Sequence, residues 1–126
     1  MSANSRRAAA AIRNRARANR AISRARRAAL IAAHRIRKAP RSLTTHVIAT
    51  GADRDLIQGA VSSLRYQVRK TGIKGRLVRI RRTFFRKSRF TIVAARFTRE
   101  QVAQLAASWA PRKPEYKAVR AALIAA

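Results

Sequence analysis

Cysteine is absent from the 126-residue chain. That excludes disulfides, Cys-ligated zinc, thiol nucleophiles and haem attachment, and leaves the redox compartment open. Acid is nearly absent too: 4 Asp and Glu stand against 31 Lys and Arg, for a formal net charge of +27. So lopsided a balance disfavours an enzyme acting on small metabolites, because self-repulsion works against compactness with no return. It calls for a polyanionic partner. Long apolar runs are missing as well. A run such as Ala28 to Ala33, which none exceeds, is far short of the ~20 residues that span a bilayer.

The parts for catalysis are equally scarce. Of the two histidines, His34 sits beside Arg35 in a basic segment, and His46 sits in a segment read as a strand, where a hydrogen-bonded structural role is expected. Asp53, Asp55, Glu100 and Glu115 each fall near the start of an expected helix, where the helix dipole accounts for them. Asp53 and Asp55, two apart, do not face the same way on a helix, whereas a nuclease metal site wants clustered ligands. Gly72 and Gly75 read as turn glycines, and no Gly-rich phosphate loop is present. The expectation is a protein that is not an enzyme and has no cofactor and no metal site.

What is present is basic charge, unevenly spread. Residues 1–41 carry 13 basic and no acidic side chains, residues 42–97 carry 13 and 2, and residues 98–126 carry 5 and 2. The net charges are thus +13, +11 and +3. Residues 1–39 contain neither Gly nor Pro, and Pro40 closes the pattern. Two units are therefore expected: a basic Ala/Arg arm over 1–41, helical at least when bound, and an α+β domain over 42–126.

On a helical projection Arg6, Arg13, Arg17, Arg20, Arg24, Arg27 and Arg35 form one stripe. Ala11, Ala18, Ile22, Ala25, Ala29, Ala32 and Ile36 form a second, weakly apolar one. Guanidinium groups repeated along a helix suit successive phosphates. Unneutralised, they repel, so the arm is expected to fray alone and to become helical against a polyanion or by packing Ile22 and Ile36 on the domain.

In the domain, Thr45 to Thr50 is β-rich and reads as a strand. Leu56, Ile57, Ala60, Val61, Leu64 and Val68 recur at helical spacing up to a stop at Thr71-Gly72. Residues 74–97 read as a hairpin, with Val78 and Ile80 facing one way and Arg79 and Arg81 the other. Thr98 with Gln101 fits a capping box for a helix burying Val102, Leu105, Ala106 and Trp109. After Pro111 and Pro114, a last helix packs through Tyr116, Val119 and Leu123. The expected fold is a long Arg/Ala-rich helix or arm followed by a β-α-β-β-α-α domain with a three-stranded, mainly antiparallel sheet.

The hairpin concentrates Arg76, Arg79, Arg81, Arg82, Arg86, Lys87 and Arg89. A basic two-stranded ribbon can enter a major groove or clamp a backbone. Phe84 and Phe85, near its bend, are candidates for base stacking. The resulting expectation is a non-enzymatic nucleic-acid-binding protein, largely indifferent to sequence, with DNA slightly favoured over RNA. A structural role in a ribonucleoprotein or virion is the first alternative. The second is a winged-helix-like transcription regulator, with a turn at Gly59, residues 61–70 as recognition helix and residues 74–97 as wing. The unbroken stripe from Leu56 to Val68 ranks that division below a single helix.

The β-α-β-β-α order is shared with the RNA-recognition motif, without its last strand. Only Phe90 and Phe97 match its aromatic strand by position, and the Gly-aromatic alternation is missing. A membrane-surface role is disfavoured, because the arm's apolar side is mostly Ala and holds no aromatic residue. The C-terminal helices, with Leu123 and Ile124, suit a homo-oligomer or larger assembly. An intracellular, nucleoid or virion location fits this partner, and a mitochondrial one fits if residues 1–41 are a transit peptide.

Overall fold

The computed structural model describes residues 2–84 and 88–126, with side chains outside 82–90. Its elements are α1 (Ala3–Lys38), α2 (Leu43–Ala49), α3 (Arg54–Thr71), β1 (Arg76–Phe84), β2 (Ser88–Arg96), α4 (Arg99–Ser108) and α5 (Pro114–Ala125). The order is α-α-α-β-β-α-α, mostly helical, with a two-stranded antiparallel sheet. Among the described residues the expected three-stranded sheet does not form.

The correction lies in residues 45–50, of which 45–49 are helical and Thr50 is the C-cap. Ser42 caps α2, its Oγ accepting from Thr45 N–H at 3.4 Å. Leu43, His46 and Val47, at helical spacing, are the residues α2 buries. Burial of that face outweighs the β-propensity of Thr, Val and Ile, which is a weak and context-dependent preference. A remnant of strand pairing survives just before α2. Arg41 N–H donates to Phe97 O at 3.0 Å, and Phe97 N–H donates to Arg41 O at 2.7 Å. This isolated bridge sews the α1–α2 link to the end of the hairpin.

Helix α1 has 36 residues, a length of ~54 Å at 1.5 Å per residue. Ser2 caps it by accepting from Ser5 N–H at 3.2 Å. Arg35, Arg37 and Lys38 sit at its C-terminal end, where the dipole favours cations. Only Ala32 and Ile36 are buried. Ile22, expected to pack, is 50% exposed. The helix therefore buries side chains only in its last third, while residues from Ala21 onward also line pockets shared with α2 and the start of α3.

Four residues, 50–53, separate α2 from α3, and Gly51 supplies a left-handed conformation there at φ 78°. Asp53 occupies the cap position of α3 without a side-chain cap bond. Helix α3 is continuous through Gly59 and stops at Gly72 (φ 72°), as the Leu56–Val68 stripe predicts. The capping box of α4 forms in both directions: Gln101 N–H donates to Thr98 Oγ1 at 3.2 Å, and Thr98 N–H donates to Gln101 Oε1 at 2.9 Å.

The core gathers Leu43 and Val47 of α2, Ala60, Val61 and Leu64 of α3, Val102, Leu105 and Ala106 of α4, and Val119 and Leu123 of α5, with Phe97 and Trp109. Tyr116 packs against this cluster, its ring edge-on to Trp109 at 5.9 Å.

Candidate nucleic-acid interface

The hairpin register sorts its side chains into two faces. Arg79 pairs with Val93 and Arg81 with Thr91, while Val78 pairs with Ala94 and Ile80 with Ile92. Residues directly opposite share a face, so Arg79, Arg81, Thr91 and Val93 lie together, with Leu77 and Ala95 nearer the base. Arg76 lies on the other face, across from Arg96. Arg79 and Arg81 are exposed.

Val93 and Ala95 also line a groove shared with α3 and the start of α2. Its other walls include Arg65, Val68 and Arg69 of α3, and Ser42 and Thr44 beside α2. Arg65 and Arg69 are four residues apart on the exposed side of α3, opposite the buried Ala60, Leu64 and Gln67. The hairpin face that carries Arg79 and Arg81 thus reaches this groove through Val93 and Ala95, with Arg79 and Arg81 themselves outside the lining. All four acidic residues fall outside its lining: Asp53 and Asp55 at the start of α3, Glu100 at the start of α4, and Glu115 at the start of α5.

Arg65 and Arg69 were not among the residues singled out by composition and spacing. The signal for them was the segment of residues 61–70, which the winged-helix alternative assigns to recognition. The turn that precedes this helix falls at residues 50–53 and not at Gly59. The expected arm residues Arg6, Arg13, Arg17, Arg20, Arg24, Arg27 and Arg35 are all exposed along α1 and lie outside this groove. Phe85, Arg86 and Lys87 lie outside the described residues, as do the side chains of Arg82, Phe84 and Arg89.

His46 holds the base of the hairpin in place. It is 2% exposed, and its Nε2–H donates to Phe97 O at 2.8 Å, the same carbonyl that accepts from Arg41 N–H. A carbonyl only accepts, so the proton is on Nε2. Burial lowers the imidazole pKa below the ordinary histidine value. Backbone hydrogen bonds with Phe97 and Arg41 oppose that shift, and the charge of Arg99 adds to it. The role is structural, as expected, but on a helix and not a strand.

Among the described residues no group of three or more His, Asp or Glu is placed to hold a metal ion, and no helix is long and apolar enough to cross a membrane. No protein-family model, curated protein or solved structure matches the chain.

Proposed function

We propose that the protein is a non-enzymatic nucleic-acid-binding protein that grips duplex DNA, mainly by its phosphates, in the groove between α3 and the hairpin. The observation that carries this reading is a groove lined by Arg65 and Arg69 of α3 and by Val93, the cross-strand partner of Arg79, with no acidic residue in its lining. Local architecture supports it. A short helix, a four-residue turn containing glycine and a second helix make a helix–turn–helix. In that motif the second helix lies in the major groove. The hairpin that follows α3 stands where it can flank the same duplex as a wing. Arginine is suited to this work because its planar guanidinium pairs bidentately with phosphate oxygens.

Fluorescence anisotropy of the full chain on duplex DNA, single-stranded DNA and structured RNA across a salt series tests the proposal. Arg65, Arg69, Arg79 and Arg81 each on a phosphate give a log–log salt slope of about −3.6 or steeper on duplex, at ~0.9 per phosphate. A slope near −1 overturns the multi-phosphate grip. Structured RNA bound more than tenfold tighter than duplex DNA overturns the assignment to DNA.

A further inference from the structure

The groove leaves the outer side of α1 without a role. Arg13, Arg17, Arg20, Arg24 and Arg27 are exposed and share one side of that helix. At 3.6 residues per turn this side lies roughly 130° around the axis from the docked face that buries Ala32 and Ile36. Residues 1–41 contain no acid, so the stripe has no counter-charge on its own helix. Arginines three and four apart repel until an anion neutralises them. From Arg13 to Arg27 the stripe runs ~21 Å, about six rises of 3.4 Å along a duplex axis. That length suits a regular polyanion better than a small ion.

The placement of α1 determines which polyanion segment the stripe meets. Helix α2 packs against both α1 and α3, while α1 and α3 have little direct contact. Packed helices sit about 8–10 Å apart axis to axis, so the stripe and the Arg65–Arg69 pair are separated by on the order of 20 Å. Arg24 lines a pocket against Ile48 of α2 and Arg54 and Ile57 of α3, and none of the five stripe arginines lines the α3–hairpin groove. Duplex DNA has a persistence length of about 150 base pairs. A duplex seated in the groove does not fold back round so small a domain to reach the stripe.

We infer that the protein bridges two duplex segments, one held in the α3–hairpin groove and the second along the outer arginine stripe of α1. The inference rests on the groove reading proposed above and adds a second, separately oriented binding surface to it.

The test is a capture assay with the full chain. One 60-base-pair duplex is immobilised on beads, and a second, fluorescent duplex of unrelated sequence is recovered with them. Recovery should rise with protein and then fall once each duplex carries its own protein. The variant R13Q/R17Q/R20Q/R24Q/R27Q should lower recovery at least tenfold, and so should R65Q/R69Q/R79Q/R81Q. Each should still bind a single duplex at low salt through the surface it retains. Sedimentation of the free protein should give a monomer.

Binding of one duplex with no recovery of the second overturns bridging and leaves the groove reading intact. Failure to bind even one duplex overturns both. Recovery that survives the five-arginine change overturns the stripe as the second surface. A free dimer whose recovery follows dimer concentration replaces the two-surface account with a two-chain one and overturns it.

Discussion

Gly59 sits in the middle of α3, where alanine would ordinarily be an improvement. Replacing an interior helical glycine by alanine gains about 1 kcal/mol from backbone entropy and propensity. Here the space is taken. A β-carbon on Gly59 would collide with the Tyr116 hydroxyl and stand 3.1 Å from the ring carbon that bears it. The Tyr116 ring is braced edge-on against Trp109 at 5.9 Å, and Trp109 belongs to the buried core. Relief means pushing the ring off Trp109, at about 0.5–1.5 kcal/mol for the aromatic contact, or straining the α3–α5 packing, at about 1–3 kcal/mol. Set against the propensity gain of about 1 kcal/mol, the packing strain leaves Gly59→Ala destabilising by up to about 2 kcal/mol. At roughly 3–6 °C per kcal/mol for a chain of this size, that lowers Tm by up to about 6–12 °C.

The decisive measurement is a double-mutant cycle by urea and thermal unfolding. In a Tyr116→Ala background the collision is gone and only propensity remains. Gly59→Ala should then stabilise, reversing sign, by up to about 1 kcal/mol. Equal effects in the two backgrounds, or a gain in stability in the otherwise unchanged protein, would refute the steric explanation.

In a chain whose α1 stripe is already neutralised by R13Q/R17Q/R20Q/R24Q/R27Q, adding R65Q/R69Q/R79Q/R81Q should flatten the duplex salt slope by about 3 to 4, while adding R99Q/R112Q/K113Q/K117Q, with the same net charge, should leave it nearly as it was; equal slopes would remove the groove from the interface. Because burial lowers the His46 pKa, the folded state binds fewer protons than the unfolded one between the folded value and the unfolded value of about 6.5. Stability should therefore be complete above about pH 6.5 and fall as pH drops below it, by at most about 1.4 kcal/mol per pH unit. His46→Gln should flatten that segment of the stability–pH curve, and an unchanged curve would exonerate the histidine. Thr98→Ala removes one half of the α4 capping box and should cost about 0.5–2 kcal/mol in urea unfolding; Thr98→Ser should restore most of it.

The elements legible in the sequence are those whose local signals and burial agree. Helix α3 declares itself by Leu56 to Val68 and stops at Gly72, the hairpin alternates as Val78, Arg79, Ile80 and Arg81 do, and Thr98 with Gln101 marks the start of α4. Residues 45–50 mislead because β-branched side chains dominate a short segment. The competing signal, Leu43, His46 and Val47 on one helical face, becomes decisive only once that face is buried. The missing third strand shrinks to one bridged pair, Arg41 with Phe97, too short to leave any alternation. In the groove, the basic hairpin face could be read directly. Its partnership with Arg65 and Arg69 could not, because that proximity arises only when α3 and β2 pack beside the start of α2.

The Phe97 carbonyl, shared by Arg41 N–H and His46 Nε2–H, stands at the fulcrum of a lever. Strand β1 has 9 residues, a reach of ~30 Å at about 3.3 Å each. A tilt of ~5° at the fulcrum would displace the far end of such an arm by ~2.6 Å, comparable to most of one phosphate step. Arg79 and Arg81, part-way along, would move by roughly half as much or less. The aim of the hairpin is therefore set by the hydrogen bonds at its root together with the burial of the Phe97 ring in the core. A titration at one buried imidazole could register as a change of reach some distance away, with no charge altered on the binding face itself.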